Sequence, residues 1–315
     1  MTRAGEKIAA EIRALGPIPF SRFMEIALYD EECGYYRTSQ RDPFGKEGDF
    51  FTASQLQPVF GRLAAAALRD VRKELGAGEE FTVVEWGAGR GEMREALGEF
   101  RYRALDVGRG SAPDRFTGAV FSNELFDALP VDVAKRVGNE WRALRVDVDG
   151  SQFAWRESEP LGEIGFADAL EDGAWVELPV RIRDVMRAMS RGLERGVVIA
   201  IDYGITERER VRFPQGTLMS YRRHRALDDV LQSPGEQDIT AHVPFDLLNV
   251  AAHECGLTAE PLLTLSQWIL SLDEKVLEAA LAAGSEAEAT RLRLQFKTLL
   301  VGMGETFRVA VWRRL

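Results

Sequence analysis

Apolar positions along the chain change period several times, and each change marks an element. Ile8, Ile12 and Leu15 recur at helical spacing over residues 6–15 and stop at Gly16-Pro17. Ser21 is placed to cap a second helix running to about Tyr29. Residues 37–49 are polar, with Pro43, Gly45 and Gly48, and read as a loop. Ser54-Gln55-Leu56-Gln57, followed by Pro58, forms a capping box ahead of an alanine-rich helix to about Glu74. The apolar run from Phe81 to Glu85 predicts a buried strand, and Gly91 to Leu97 the start of a helix. Further strands are expected at 102–106 and at Gly118 to Ser122. The pattern then alternates across Val131 to Val137, Trp141 to Val148 and Phe153 to Glu157, around Gly138-Asn139 and Asp149-Gly150, which predicts an antiparallel meander at 131–157. A helix at about 180–194 and a strand at Val197 to Ile201 follow. Residues 205–240 are charged and turn-rich. Helices are expected at about 245–254 and across 266–300, with a last strand from Thr306 to Trp312. Strands alternating with helices predict an α/β fold with a doubly wound, mainly parallel sheet. The expected organisation is an N-terminal helical arm with a covering loop at 1–52. The main domain at 53–315 carries the meander and a mainly helical insertion at about 205–300.

The strand at 81–85 ends in Glu85-Trp86-Gly87-Ala88-Gly89-Arg90-Gly91. Glycines at 87, 89 and 91 permit positive φ and leave no Cβ between main chain and a ligand. A turn of this kind opens a small-molecule crevice at the carboxyl end of a parallel sheet. A dinucleotide fingerprint, G-x-G-x-x-G, would need glycine where Glu92 stands. The pattern present is E-x-G-x-G-x-G, the first motif of class I S-adenosylmethionine methyltransferases. Glu85 would sit near the cationic amino group of that ligand and would repel a pyrophosphate.

Asp106 follows at a plausible strand return. It can accept both ribose hydroxyls of a nucleoside, or it can cap a turn. Asn123-Glu124-Leu125-Phe126-Asp127 comes after the next strand. Two carboxylates three residues apart suit a planar guanidinium, which they can hold while one nitrogen attacks a methyl donor. Alternatively, Asp127 caps a helix and Glu124 lies in solvent. Of the three histidines, His224, His242 and His253, only His242 sits in a polar stretch and stands as a further catalytic candidate. They are too few and too scattered for a metal site.

A net charge of −10 argues against a nucleic-acid partner and permits a basic protein substrate. Cys33 and Cys255 give no disulfide framework. No apolar run approaches the roughly 20 residues of a membrane span. The amino terminus has no signal pattern, so a cytoplasmic location is expected. The alternating apolar faces leave core and homodimer interface equally open.

Several segments together resemble one family. They are Ile18-Pro19-Phe20-Ser21-Arg22-Phe23-Met24, Cys33-Gly34-Tyr35-Tyr36, Gly48-Asp49-Phe50-Phe51-Thr52-Ala53-Ser54, Asn123 through Val131, Asp202-Tyr203-Gly204, Pro234 through Val243, and Met303-Gly304-Glu305, besides the glycine turn. The chain resembles the MidA-like methyltransferases, whose mitochondrial member is a protein-arginine methyltransferase acting in respiratory complex I assembly. The resemblance implies a Rossmann-like class I fold and S-adenosylmethionine as donor. It implies an arginine of a protein substrate as acceptor and symmetric dimethylarginine as product. Gly48, Asp49 and Thr52 would fold over the cofactor, with Glu85, Gly87, Gly89, Gly91, Asp106 and Asn123 beneath it. Glu124, Asp127 and His242 would serve catalysis. One departure stands out: only 16 residues, Val107 to Ser122, separate Asp106 from Asn123. Members usually fit a helix and a strand there, so the adenine wall is expected to be shortened or rebuilt with Phe116. A weakly binding or non-catalytic assembly protein, or a small-molecule methyltransferase, are the competing readings.

Overall fold

The computed structural model describes residues 1–37, 53, 56–222, 225–227 and 229–315. The expectations placed on Gly48, Asp49, Thr52, the box at Ser54-Gln55 and His224 lie outside the described residues. The chain divides into two compact units. The first holds residues 1–51, 127–182 and 205–246; the second holds 52–126, 183–204 and 247–315.

The second unit is built on the expected sheet. Thr82–Trp86 lies between Arg101–Leu105 and Phe116–Asn123, parallel to both. Leu193–Ile205 continues in parallel beyond Phe116–Asn123, and Phe307–Arg314 closes this side antiparallel. Short strands at Thr258–Ala259 and Leu263–Thr264 pair with Phe307–Arg314. Val83, Ala119, Phe121, Val197, Ile199, Ile201 and Val309 share one core with the helices Val59–Leu75, Leu265–Ser271 and Glu286–Lys297. Val84, Val120, Val198, Ala200 and Trp312 alternate with them and are also buried. Burial of both faces is why these strands read as continuous apolar runs rather than alternating ones. On the second face the Trp312 indole donates to Asn249 in the helix Phe245–Glu254 at 2.8 Å.

Several boundaries differ from expectation for physical reasons. The helix expected from Gly91 is a single turn, Arg94–Leu97, because Gly91 has φ 85° and cannot be helical. The long helix expected at 266–300 breaks into Leu265–Ser271, Glu274–Ala280 and Glu286–Lys297. Asp273 and Ser285 each turn a side chain onto the backbone of the next segment and restart it. Ser21 caps nothing: the helix Phe20–Tyr29 starts one residue earlier, and the Ser21 N–H donates to Asp132 Oδ1 at 3.1 Å.

In the first unit, the helices Arg3–Leu15 and Phe20–Tyr29 pack Ile8, Phe20, Phe23 and Met24 against Val133, Leu144 and Val146 of the meander. The meander strands are Val131–Val137, Glu140–Asp149 and Gln152–Leu161, and Trp175–Pro179 adds to its edge. Met219–Arg222, Arg225–Leu227 and Asp238–Thr240 form a small antiparallel sheet where a mainly helical insertion is expected. Its strands are three or four residues long, too short for a clear alternation to register in the sequence.

Phe121 is fully enclosed in the second unit and packs on Phe60 with ring centroids 6.5 Å apart. Phe121→Ala should lower the stability of this unit by roughly 3–5 kcal/mol in urea denaturation. A loss under about 1 kcal/mol would mean that the site collapses around the gap.

Candidate functional site

Glu85 lies next to the end of the strand Thr82–Trp86, with its side chain on the face that carries Val83. It is 3% exposed, and the Tyr102 hydroxyl donates a short hydrogen bond to it. Val83 is in register with Tyr102, so the diagonal places the phenol over the carboxyl group. Burial pushes the Glu85 carboxyl up to about 7; Glu92 and Asp106 add to this, while the Tyr102 bond and Arg94 oppose it. The Arg94 guanidinium lies over the Tyr102 ring, 5.8 Å from its centroid. Tyr102 is a site residue that the sequence reading missed. Only the strand register could have located it.

The turn after Glu85 uses its glycines as expected. Gly87, Gly89 and Gly91 have φ of 71°, 53° and 85°. A Cβ at Gly87 would also come within 3.1 Å of Leu125 Cδ1. Ala88 N–H donates to Leu105 O at 3.0 Å, which ties the turn to the edge strand.

Beside it, Glu124 has φ 51°, a left-handed conformation that costs a non-glycine residue about 1–3 kcal/mol and persists only where its surroundings enforce it. Asp202 enforces it. Its Oδ2 accepts the N–H groups of Leu125 at 3.1 Å and Phe126 at 2.8 Å, and its Oδ1 accepts that of Tyr203 at 2.9 Å. Glu124 N–H donates to Ile201 O at 2.9 Å. The Glu124 carboxylate is held as well: Oε1 accepts Ala53 N–H and Asn123 Nδ2–H, both at 2.9 Å. The reading that leaves Glu124 loose in solvent is therefore excluded. Asn123 Oδ1 is buried and has no hydrogen-bond partner among the described residues.

Asp106 takes the turn-capping role of the two offered for it. Its Oδ1 accepts Val107 N–H at 2.6 Å, which is turn capping. Its Oδ2 takes Arg109 Nη2 at 3.2 Å, and the same nitrogen donates to Gly89 O at 2.6 Å. Arg109 is a second residue that the sequence reading missed. Phe116 cannot rebuild the adenine wall. It opens its strand, paired with Leu193 and bonded to Gly192 O, about 23 Å of extended chain from Asn123 at the ligand end.

The other catalytic candidates belong to the first unit. Asp127 is buried, and its carbonyl accepts Ala241 N–H at 2.9 Å. No helix starts there, so the capping alternative fails; the strand Val131–Val137 follows. His242 donates its N–H to Thr217 Oγ1 at 3.0 Å and sets its ring edge-on to Phe213. Burial, reinforced by Arg210 and opposed by Glu209, holds the imidazole below its usual value and neutral at pH 7.

The second unit thus offers what S-adenosylmethionine needs: a glycine-rich main-chain cradle, a buried acid at Glu85 and a half-buried one at Asp106 for cationic and hydroxyl groups, and a buried acceptor at Asn123. The comparisons agree. The family model described as "Putative S-adenosyl-L-methionine-dependent methyltransferase" matches residues 102–262. The mitochondrial protein arginine methyltransferase NDUFAF7 homolog of Drosophila melanogaster is 26% identical, over 80% of this chain and 70% of its own. The Homo sapiens mitochondrial protein arginine methyltransferase NDUFAF7 is 24% identical, over 76% and 66%. A "likely methyl transferase" from Burkholderia thailandensis, bound to S-adenosyl-homocysteine, superposes with a TM-score of 0.85. It is 28% identical, over 99% of this chain and 92% of that one.

The raised Glu85 value has a consequence for stability. Between its ordinary 4.5 and about 7, the folded chain holds a proton that the unfolded chain has released. The group's contribution is therefore full below about pH 4.5 and declines as pH rises to about 7. Urea midpoints of Glu85→Gln should lack this decline, and Tyr102→Phe should move its upper end to higher pH. Equal slopes in wild type and Glu85→Gln would show that another group titrates.

Proposed function

The chain belongs to the S-adenosyl-L-methionine-dependent methyltransferase family matched over residues 102–262, and on that premise we propose that it methylates arginine side chains of a protein. The carrying observation is Glu124, a carboxylate pinned by two hydrogen bonds on a turn whose conformation is itself enforced. Relatives spanning most of the chain are named protein arginine methyltransferases, which supports the acceptor.

When bound, S-adenosylmethionine supplies an electrophilic methyl group on a sulfonium. The chain's own part is binding and orientation. Glu85 faces a cationic amino group, and Asp106 accepts hydroxyl hydrogens. Asn123 offers its free carbonyl oxygen to the same ligand. Glu124 receives the planar guanidinium of the acceptor and holds one of its nitrogens in line for attack. Because the carboxylate is already fixed, little ordering remains at the moment of reaction, and positioning supplies most of the acceleration. Symmetric dimethylarginine is the expected product.

The test is transfer of labelled methyl groups from S-adenosylmethionine to proteins of a lysate, followed by hydrolysis and amino-acid analysis. Label in methylarginine is expected. Label confined to metabolites would make the acceptor a small molecule, and binding of S-adenosylhomocysteine without any transfer would favour an assembly protein. Glu124→Gln should keep cofactor affinity and lose roughly 10²–10³ in turnover. Normal turnover in that variant would remove Glu124 from the mechanism.

A further inference from the structure

Among the described residues, the sheet of the second unit stops at Arg101–Leu105, whose outer edge faces no further strand. A strand beyond that edge would give the base of a bound nucleoside a wall. Residues 106–115 form a turn and a loop instead, and the wall expected from Phe116 lies at the wrong end of the sheet.

The turn itself is stiff. Asp106 N–H donates to Arg109 O at 3.0 Å, and Arg109 N–H returns to Asp106 O at 2.8 Å. Gly108 and Gly110 have φ of 70° and 78°. A Cβ at Gly110 would lie 2.5 Å from Ala104 O, so the turn is folded tightly against the edge strand. Its side chains are another matter. Arg109 is 68% exposed and, among the described residues, uses only Nη2 for both of its bonds, which leaves the flat guanidinium face open to them. Val107, at the tip of the turn, is also exposed.

We propose that the Asp106–Arg109 turn is the adenine wall of this protein. Arg109 is its moving part: on binding, the guanidinium leaves Asp106 and Gly89 and lies flat on the base. The inference rests on the methyltransferase reading and deepens it. Three considerations carry it. First, the Asp106 oxygen that a ribose hydroxyl would use, Oδ2, is the one that Arg109 occupies. One movement therefore frees the ribose acceptor and delivers the cover. Second, an exposed, single-nitrogen ion pair contributes little, whereas a guanidinium plane stacked on a base contributes more, so the exchange runs towards the bound state. Third, the rigid backbone of the turn limits the movement to the side chain. The exposed Val107 supplies apolar surface beside the base.

Calorimetric titration with S-adenosylhomocysteine tests this on wild type, Arg109→Ala and Arg109→Lys. Arg109→Ala should weaken binding roughly tenfold, in the range of a lost base-stacking contact. Arg109→Lys should weaken it nearly as much, because lysine keeps the charge beside Asp106 but has no planar face. The same loss should appear with 5′-deoxy-5′-methylthioadenosine, which carries the base and ribose without the amino-acid part. An unchanged melting temperature in each variant checks the fold. Tighter binding by Arg109→Ala would mean that the guanidinium only competes for Asp106. Equal binding, or rescue by lysine, would mean that it does not stack. Each of these results overturns the proposal alone. A wild type that binds neither ligand would overturn the cofactor reading beneath it.

Discussion

The site of the second unit depends on one buried carboxylate. Asp202 is fully enclosed, and a carboxylate in that position is tolerated only when backbone donors satisfy it. The donors are the N–H groups of Leu125, Phe126 and Tyr203, so satisfying the charge and shaping the turn are the same event. Parallel pairing of Asn123 with Ile201 brings the two strands into the register that makes this possible. From that turn follow the left-handed Glu124 and the position of Leu125. Leu125 in turn lies where a Cβ on Gly87 would press against it, so the glycine motif and the acid-bearing turn constrain each other.

A second constraint comes from the edge of the sheet. An uncovered strand edge invites pairing with other chains, and proteins blunt it with charges or a folded-back loop. Arg101–Leu105 does both: Arg101 and Arg103 are exposed on it, Arg101 pairs with Glu80, and the turn from Asp106 folds against it. The short connection after Leu105 is therefore a tight hairpin folded against the edge strand. What protects the edge also places an aspartate and an arginine beside the glycine turn.

How far the sequence foretold this depends on the range of each interaction. Val83, Val84 and their neighbours form apolar runs because both faces of their strand are covered, and that signal is local, so the parallel sheet was legible. Gly87, Gly89 and Gly91 were legible because positive φ is a property of single residues. Tyr102 and the capping role of Asp202 were not, since each acts across strands whose register no window of sequence contains, and Arg109 was not because it reaches back to Gly89 in another turn. Phe116 was misplaced for a related reason: nearness in sequence to Asp106 says nothing about which end of a parallel strand it opens. The small sheet at 219–240 escaped because strands of three or four residues carry too few positions to show a period.

Electrostatics ties these features into one device. Glu85, Glu92 and Asp106 lie close enough to raise the Glu85 carboxyl, and Glu85 is almost fully enclosed. Such a concentration of negative charge would strain an empty site. The strain is relieved in two ways, by a proton kept on Glu85 and by the Arg109 guanidinium resting on Asp106. Both are placeholders of positive character, and under the proposed reading the ligand exchanges them for an ammonium at Glu85 and for ribose hydroxyls and a base at the Asp106 turn. Ligand binding then exchanges one set of partners for another instead of creating interactions from nothing. Affinity is moderated by what must be displaced, and selectivity rises, because a ligand lacking either group would leave a carboxylate uncovered. A pyrophosphate offers no positive group to exchange for either placeholder, so the proposed cradle would select against it.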